Sequence, residues 1–356
     1  MKCWSSIVFC IFFISACGTL RKPAAEPEEQ FILHQKRVVS YNVENLFDTL
    51  NAPRKSDGAF TPGSDHNWNT KRYQAKLEKL ADVISWSGEE VPILLIGLAE
   101  VENQEVVEDL LKTGSLATRP FALIHEESPD NRGIDVALAY DSTLFRSLAH
   151  QAIEVRFPFD PDKNTRDILY VKGIVNELDT LHIFVNHWPS RWGGEEASRP
   201  RRIRAAEVLR LKLDSLFAIN AETQIIIMGD FNDEPTDHSL YATLKATGQD
   251  EWLSAASLYN FMYPLQQQGL GSYNYRGNWN MLDQIIVSGI LKSNSDSTAI
   301  RATKAGVFSR KEMMYGSDST NLRPNRTYGG SKYFGGYSDH LPVYLDIEIR
   351  QRRDAE

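Results

Sequence analysis

Apolar runs that end abruptly in polar side chains recur along this chain. Gln224-Ile225-Ile226-Ile227-Met228-Gly229 is followed at once by Asp230-Phe231-Asn232-Asp233. An unbroken run of branched apolar residues of this length predicts a strand buried on both faces. If strand geometry persists past Gly229, Asp230 and Asn232 point the same way. The pattern repeats at 37–47, with Asn42, Glu44 and Asn45 at its end, and at 92–103, with Glu100, Glu102 and Asn103. Residues 132–140 predict another strand, with Asp135 inside its apolar pattern. Residues 169–175 and 181–188 predict a hairpin pair whose second member ends in Asn186-His187. Asp283 stands near the start of a run at 281–287, and Ser338-Asp339-His340 leads into a last strand ending at Ile349.

Between these runs the apolar period changes from two to three and four. Asn69-Thr70 caps a helix carrying Tyr73, Leu77, Leu80, Ala81 and Ile84. Val106, Val107, Leu110 and Leu111 mark a second helix. Ile203, Ala206, Leu209, Leu213 and Leu216 mark a third, with 190–204 read as the loop before it. Its arginines, at 191, 199, 201, 202 and 204, read mostly as a solvated face, with one or two free to reach phosphate. Residues 305–336 read as a long irregular insertion holding Arg323, Arg326 and Lys332, of the kind that is often functional. Strands alternating with helices predict an α/β domain over 36–350, with chemistry at the strand ends.

Composition changes this picture mainly at the amino terminus. Lys2, the apolar stretch 7–14 and Ser15-Ala16-Cys17 read as a signal peptide over 1–16, too short to span a membrane comfortably. Ile14-Ser15-Ala16-Cys17 resembles a bacterial lipobox. By that resemblance Cys17 becomes the lipidated first residue, 17–35 a flexible tether, and the protein an exported, membrane-anchored lipoprotein on the outer-membrane or periplasmic side. All three cysteines lie at or before residue 17, so the folded domain has no disulfide, thiolate metal site or nucleophilic cysteine. Loss of Lys2 takes the formal charge from −8 to −9. A strongly basic footprint for long nucleic acid is therefore absent.

Taken singly, most polar strand ends have bland readings. Asn42 is a turn residue, Glu102 and Asn103 cap the next helix, and His182 is a satisfied strand residue. Glu100 resists such a reading, because a carboxylate next to a core is costly unless paired or bound to a cation.

Together the ends carry a resemblance. Tyr41-Asn42-Val43-Glu44-Asn45, Leu98-Ala99-Glu100-Val101-Glu102-Asn103, Arg132-Gly133-Ile134-Asp135, Asn186-His187-Trp188, Gly229-Asp230-Phe231-Asn232-Asp233, Leu282-Asp283 and Ser338-Asp339-His340 stand in one order over 37–349. In this the chain resembles the endonuclease/exonuclease/phosphatase superfamily. Many members have Gln where Ala99 stands here. The resemblance implies a deoxyribonuclease-I-like fold: a four-layer α/β sandwich of two facing mixed sheets flanked by helices. It implies a divalent cation, Mg²⁺ with Mn²⁺ or Ca²⁺ as substitutes, on Glu100 with Asn42 and Asp339. Asp230 would orient or deprotonate water, Asn232 and His187 would bond the phosphate, and His340 paired with Asp283 would stabilise the transition state or serve in proton transfer. Asn186, Asp135, Arg132, Tyr275 and Trp279 complete the expected substrate-binding set, with Tyr273, Tyr333 and Phe334 also at the rim for base stacking. The expected protein is a monomeric metal-dependent phosphodiesterase, foremost an extracytoplasmic nuclease on DNA or RNA. The alternatives are a phospholipid or sphingomyelin phosphodiesterase, a small phosphate-ester phosphatase, and an inactive binding module.

Overall fold

Two mixed sheets stack face to face in the computed structural model, which describes Met1 and residues 31–177, 179–249, 253–293, 298–316 and 322–352. The chain first forms β1 (Phe31–Leu46), α1 (Thr70–Ser87), β2 (Ile93–Val101), α2 (Gln104–Leu111), β3 (Phe121–His125) and β4 (Asp135–Asp141). Next come β5 (Phe145–Ile153), β6 (Ile168–Val175), β7 (Asp179–His187), α3 (Glu195–Ile219) and β8 (Gln224–Asp230). Short pieces follow: β9 (Ala246–Thr247), β10 (Leu258–Asn260), α4 (Tyr263–Gln267), β11 (Tyr273–Tyr275) and β12 (Asn278–Asn280). The chain closes with β13 (Asp283–Ser288), α5 (Gly289–Lys292), β14 (Ile300–Val307), the small ladders β15 (Met314–Tyr315) with β16 (Arg323–Pro324) and β17 (Tyr328–Gly329) with β18 (Lys332–Tyr333), and β19 (Val343–Arg352).

One sheet runs β14-β19-β1-β2-β4-β3 and the other β5-β6-β7-β8-β13-β10-β9. The pairs β1–β2 and β7–β8 are parallel, while β8–β13 and β2–β4 are antiparallel. Strand alternation sorts the apolar side chains into three cores. Val38, Leu95, Val136, Leu138, Val185, Ile226, Met228 and Ile285 fill the space between the sheets. Val39, Tyr41, Ile96 and Leu98 turn outward to meet Leu77, Leu80 and Ile84 of α1 and Val106 and Leu110 of α2. On the other side Ile225 and Ile227 meet Leu209 and Leu213 of α3. Helix, sheet, sheet and helix make the four layers expected. The α1 cap is as read: the Asn69 side chain accepts the Arg72 N–H.

Two boundaries differ from the sequence reading. β1 begins at Phe31, inside the stretch read as tether, because β19 is long enough to pair with it from Ser40 back to Phe31. The signal peptide beyond Met1 and the lipobox fall outside the described residues. The second difference is α3, which begins at Glu195, inside the predicted loop, and carries Pro200 within it. Arg202, read as solvated, is fully buried. It donates to Asp233 Oδ1 at 2.6 Å, Ser198 Oγ at 2.8 Å and the Glu195 carbonyl at 3.1 Å, which ties the first turns of α3 to the end of β8. This tertiary anchor outweighs the helix-breaking tendency of proline. Replacing Arg202 by Leu removes the closest cation from the buried Asp233 carboxylate, leaving it the Ser239 hydroxyl and Arg191 at 3.5 Å. A loss of about 3 kcal/mol is expected, read from urea unfolding at neutral pH; an unchanged midpoint would count against the anchor.

Candidate active site

The polar strand ends converge at one end of the sandwich. On β7, β8 and β13, His187 pairs across from Asp230 and Asp230 across from Asp283. Each shares the face of the inter-sheet apolar residues on its own strand, so all three look into the space between the sheets. Asn42, two turns of the pleat beyond Val38, reaches the same space from β1 and donates Nδ2 to Asp230 Oδ2 at 3.0 Å. Glu100 should by alternation face the helices. It sits instead at a register shift between Ala99 and Val101, with φ +67°, and this bulge re-aims it. Its Oε2 accepts the Asn45 N–H at 3.0 Å. Gly229, with φ +140°, lets β7 and β8 close on each other: a Cβ there would lie 1.9 Å from the Asn186 carbonyl oxygen.

His340 arrives from the loop before β19. Its Nδ1 lies 2.6 Å from Asp283 Oδ2, which also accepts the Ser272 hydroxyl at 2.6 Å. The Ser338 hydroxyl bonds the Asn42 carbonyl at 2.7 Å and fixes that loop. Burial alone would depress the His340 imidazole. The Asp283 carboxylate, by charge and hydrogen bond, with Asp230 and Asp339 behind it, holds it well above its ordinary value. Burial, joined by the Asp283 charge, pushes Asp230 up to about 7, against the pull of His340, the Asn232 N–H and Asn42. His187 goes the other way: burial and then the charges of Arg166, Arg132 and His340 keep it neutral, well below its ordinary value.

At the centre, polar atoms face one another across a gap. His187 Nε2 is 3.7 Å from both Glu100 Oε1 and Asp230 Oδ2, and His340 Nε2 is 3.9 Å from Asp230 Oδ2. These separations are too long for hydrogen bonds. Buried His187 Nδ1 and Asp283 Oδ1 also have no hydrogen-bond partner. Glu100 Oε1, Asp230 Oδ2 and the second lone pair of Asn42 Oδ1 are hard oxygen donors, so the residues present fit a divalent cation of the Mg²⁺ type.

Several expected site residues stand elsewhere. Asn186 faces away from the gap. Its amide is spent on the Phe184 and Met228 carbonyls and the Trp188 indole N–H, because His187 beside it takes the inward position. Asn232 does not continue the strand. Its φ is +50°, its N–H donates to Asp230 Oδ1 at 2.8 Å and its Nδ2 to the Trp188 carbonyl at 3.1 Å. Its second amide N–H and its Oδ1 are left over, so a donor for phosphate remains. Asp135 shares the outward face of Ala137 and Ala139 and bonds Ser128. Asp339 is paired with Arg326 at 2.5 Å. Arg132, half exposed, lies 3.8 Å from Asp130. Trp279 packs against the α1 core, so of the two rim aromatics only Tyr275 lines a cavity.

That cavity holds about 510 Å³ and adjoins the site through Asp339 and Arg326. Tyr273, Tyr275, Tyr315 and Phe334 supply its aromatic surface, and Arg276, Arg323 and Arg326 its charge. The Tyr273 ring lies 4.8 Å from that of His340. The insertion forming its far wall is clamped from below. Glu44 accepts the Thr327 and Tyr328 N–H groups, and buried Lys76 donates to Thr327 Oγ1 and the Tyr337 carbonyl.

Sequence reasoning missed Arg166, Lys76 and Glu44 as supports of the site. Arg166, buried, bonds the His187 and Trp188 carbonyls at 3.2 and 2.6 Å and Asp130 Oδ2 at 3.1 Å. It stands in a coil with no periodicity to mark it, whereas Lys76 sits on the apolar face of α1, one residue before Leu77, which was a usable signal.

A family model described as Endonuclease/Exonuclease/phosphatase family matches residues 37–349. No curated protein matches the sequence. Among solved structures, the chain is similar to an endonuclease/exonuclease/phosphatase family protein from Bacteroides thetaiotaomicron (16% identity, TM-score 0.54, covering 89% of this chain and 99% of that one). It is similar also to a mannosyl-6-phosphatase of the same organism (17%, 0.54, 88% and 99%). A third likeness is TDP2 of D. rerio, complexed with a single-strand DNA product (13%, 0.53, 88% and 98%). At these identities the likeness is one of fold, and it matches the two mixed sheets with their flanking helices. The match over nearly the whole of the described fold, with the strand-end carboxylates and histidines gathered at one site, makes this chain a member of the endonuclease/exonuclease/phosphatase family and a phosphoester hydrolase.

Proposed function

We propose that the protein is a divalent-metal-dependent phosphodiesterase, and that its substrate is DNA or RNA outside the cytoplasm. The observation that carries the nucleic-acid reading is the cavity beside His340. It offers flat rings for bases and the guanidinium groups of Arg276 and Arg323 for phosphates, next to the candidate catalytic gap.

The chain's own groups divide the work as follows. Asp230 accepts the proton of the attacking water; its raised affinity for a proton suits that task near neutral pH. The new bond forms between the water oxygen and phosphorus, and the bond to the leaving oxygen breaks. His340, kept protonated by Asp283, donates Nε2–H toward the charge that develops on the phosphoryl oxygens. Neutral His187 offers a second donor without adding charge. Asn232 holds Asp230 through its backbone N–H and offers its second amide N–H to the phosphate. Glu100 with Asn42 would hold Mg²⁺, which when bound supplies neutralisation of the phosphoryl charge. Asp339, paired with Arg326, is assigned to the cavity wall.

The test is a substrate panel of single-stranded DNA, RNA, sphingomyelin, a sugar phosphate and a bis-aryl phosphate, each with Mg²⁺ and with EDTA. Hydrolysis of the nucleic acids with Mg²⁺, abolished by EDTA, is expected. Activity on lipid or on sugar phosphate alone would overturn the nuclease reading, and activity untouched by EDTA would overturn the metal. A small-ester reading has one observation in its favour: the cavity is bounded on several sides, by Tyr275, Arg323 and Phe334 among others, and its size suits a single sugar phosphate.

We further propose attachment to a membrane through lipidated Cys17, a residue outside the described structure. Among the described residues no helix is long and apolar enough to cross a membrane. Cys17→Ser should move the protein from the membrane to the soluble fraction of fractionated cells. An unchanged membrane fraction would refute the anchor.

A further inference from the structure

On the outward face of the first sheet, away from the catalytic gap, stands a second group of ligand-type side chains. His125 ends β3, Asp135 begins β4, and Glu127 lies in the loop between them. One ligand atom of each falls within 4.8 Å of the others. We propose that these three residues bind a first-row transition ion of the Zn²⁺ class, at a site distinct from the catalytic one.

Four observations support this. First, two of the three side chains are buried with unused polar atoms: His125 and Asp135 are 4% and 1% exposed, and His125 Nε2 and Asp135 Oδ2 lack any hydrogen-bond partner. Leaving both unsatisfied in the interior is costly unless something binds there. Second, these two atoms are 3.3 Å apart. Ligand atoms on a tetrahedral Zn²⁺ stand about 3.4 Å apart, given bonds of about 2.1 Å. Third, the other oxygen of Asp135 is held by the Ser128 N–H at 3.0 Å and by the Ser128 hydroxyl. Such an outer partner orients a ligating carboxylate, and here it turns Oδ2 toward His125. Fourth, Glu127 is exposed, so the site opens to solvent on the side from which an ion would arrive.

The donor set distinguishes the ion. Imidazole with two carboxylates suits Zn²⁺, Fe²⁺ or Ni²⁺, whereas Mg²⁺ prefers oxygen alone. Three protein ligands leave a position for water. The site would join the two ends of the loop 126–134. That loop carries Asp130, which holds Arg166 against His187. Lys55, a cation packed against the loop, is occupied by the Ser128 and Asp130 carbonyls at 3.0 and 3.1 Å. An ion here would therefore brace a support of the active site without touching substrate.

The experiment uses the full chain, stripped by chelator, re-equilibrated with Zn²⁺ in excess Mg²⁺, freed of unbound metal and measured by atomic emission. One retained Zn²⁺ per chain is expected. Glu127→Gln, an exposed change, should weaken Zn²⁺ binding at least about tenfold, and His125→Ala should abolish it. Glu100→Gln should leave it in place. Zn²⁺ should also raise the unfolding midpoint of the wild type and not of His125→Ala. Zn²⁺ held equally well by Glu127→Gln, or lost in Glu100→Gln, would overturn the proposal. So would no retained Zn²⁺ in the wild type, which would leave His125 and Asp135 as a histidine–carboxylate pair.

Discussion

Asp230→Asn is expected to lower phosphodiester turnover by roughly two or more orders of magnitude. The carboxylate is buried between the sheets and accepts two hydrogen bonds, one at each oxygen, from Asn42 Nδ2 and the Asn232 N–H. An amide keeps the volume but offers one acceptor where there were two. It also has no affinity for the proton of an attacking water. To avoid two facing NH₂ groups, Asn42 must turn its amide over, which breaks the bond its Oδ1 accepts from the Glu44 N–H at 3.0 Å. A stability cost of about 1 kcal/mol follows from one such lost bond. Circular dichroism and a thermal melt should therefore show a folded protein with a modestly lower midpoint. Near-normal kcat in that folded variant would refute the role of Asp230.

His340→Ala is expected to lose turnover on the same scale, for a different reason. The histidine is a positive group held against the gap by a buried partner, Asp283. Its removal takes away the charge that would meet the transition state. It also leaves Asp283 in the interior with only the Ser272 hydroxyl on Oδ2, so the alanine variant should be destabilised as well, by about 3 kcal/mol. His340→Asn separates the two effects. Its amide nitrogen stands where Nδ1 did and can still donate to Asp283 but carries no charge, so stability should be largely restored while turnover stays low. Recovery of kcat along with stability in His340→Asn would show that the residue serves packing alone.

Much of this site was legible as sequence, since the strands that carry it are buried on both faces. Continuous apolar runs such as 224–229 have one plausible structure, and where they stop is where backbone and polar side chains become available to solvent and substrate. The same logic failed where the alternation of a strand was broken or where its parity mattered. Asn186 and His187 are neighbours in a motif, yet only one can face the gap. Glu100 is on the wrong parity and reaches the site through a left-handed bulge. Asn232 was expected to follow strand geometry that ends at Asp230. Asp135 was grouped with the site by its motif and is turned to the other face of its sheet.

The amino-acid sequence by itself determined the buried strands, the first two helices with their amino-terminal caps, and which strand ends carry carboxylates and histidines. Those features depend on local periodicity, and hydrophobic burial of each stripe against its neighbour follows from it. Only the tertiary structure decided which of those groups meet. The pairing of His340 with Asp283 spans 57 residues of chain and that of Asn42 with Asp230 spans 188. The start of α3 at Glu195, against the proline within it, depends on a buried ion pair between Arg202 and Asp233. Such contacts depend on register, parity and the close approach of two sheets. A single strand or helix carries no record of these, because each is settled by the partner against which it packs.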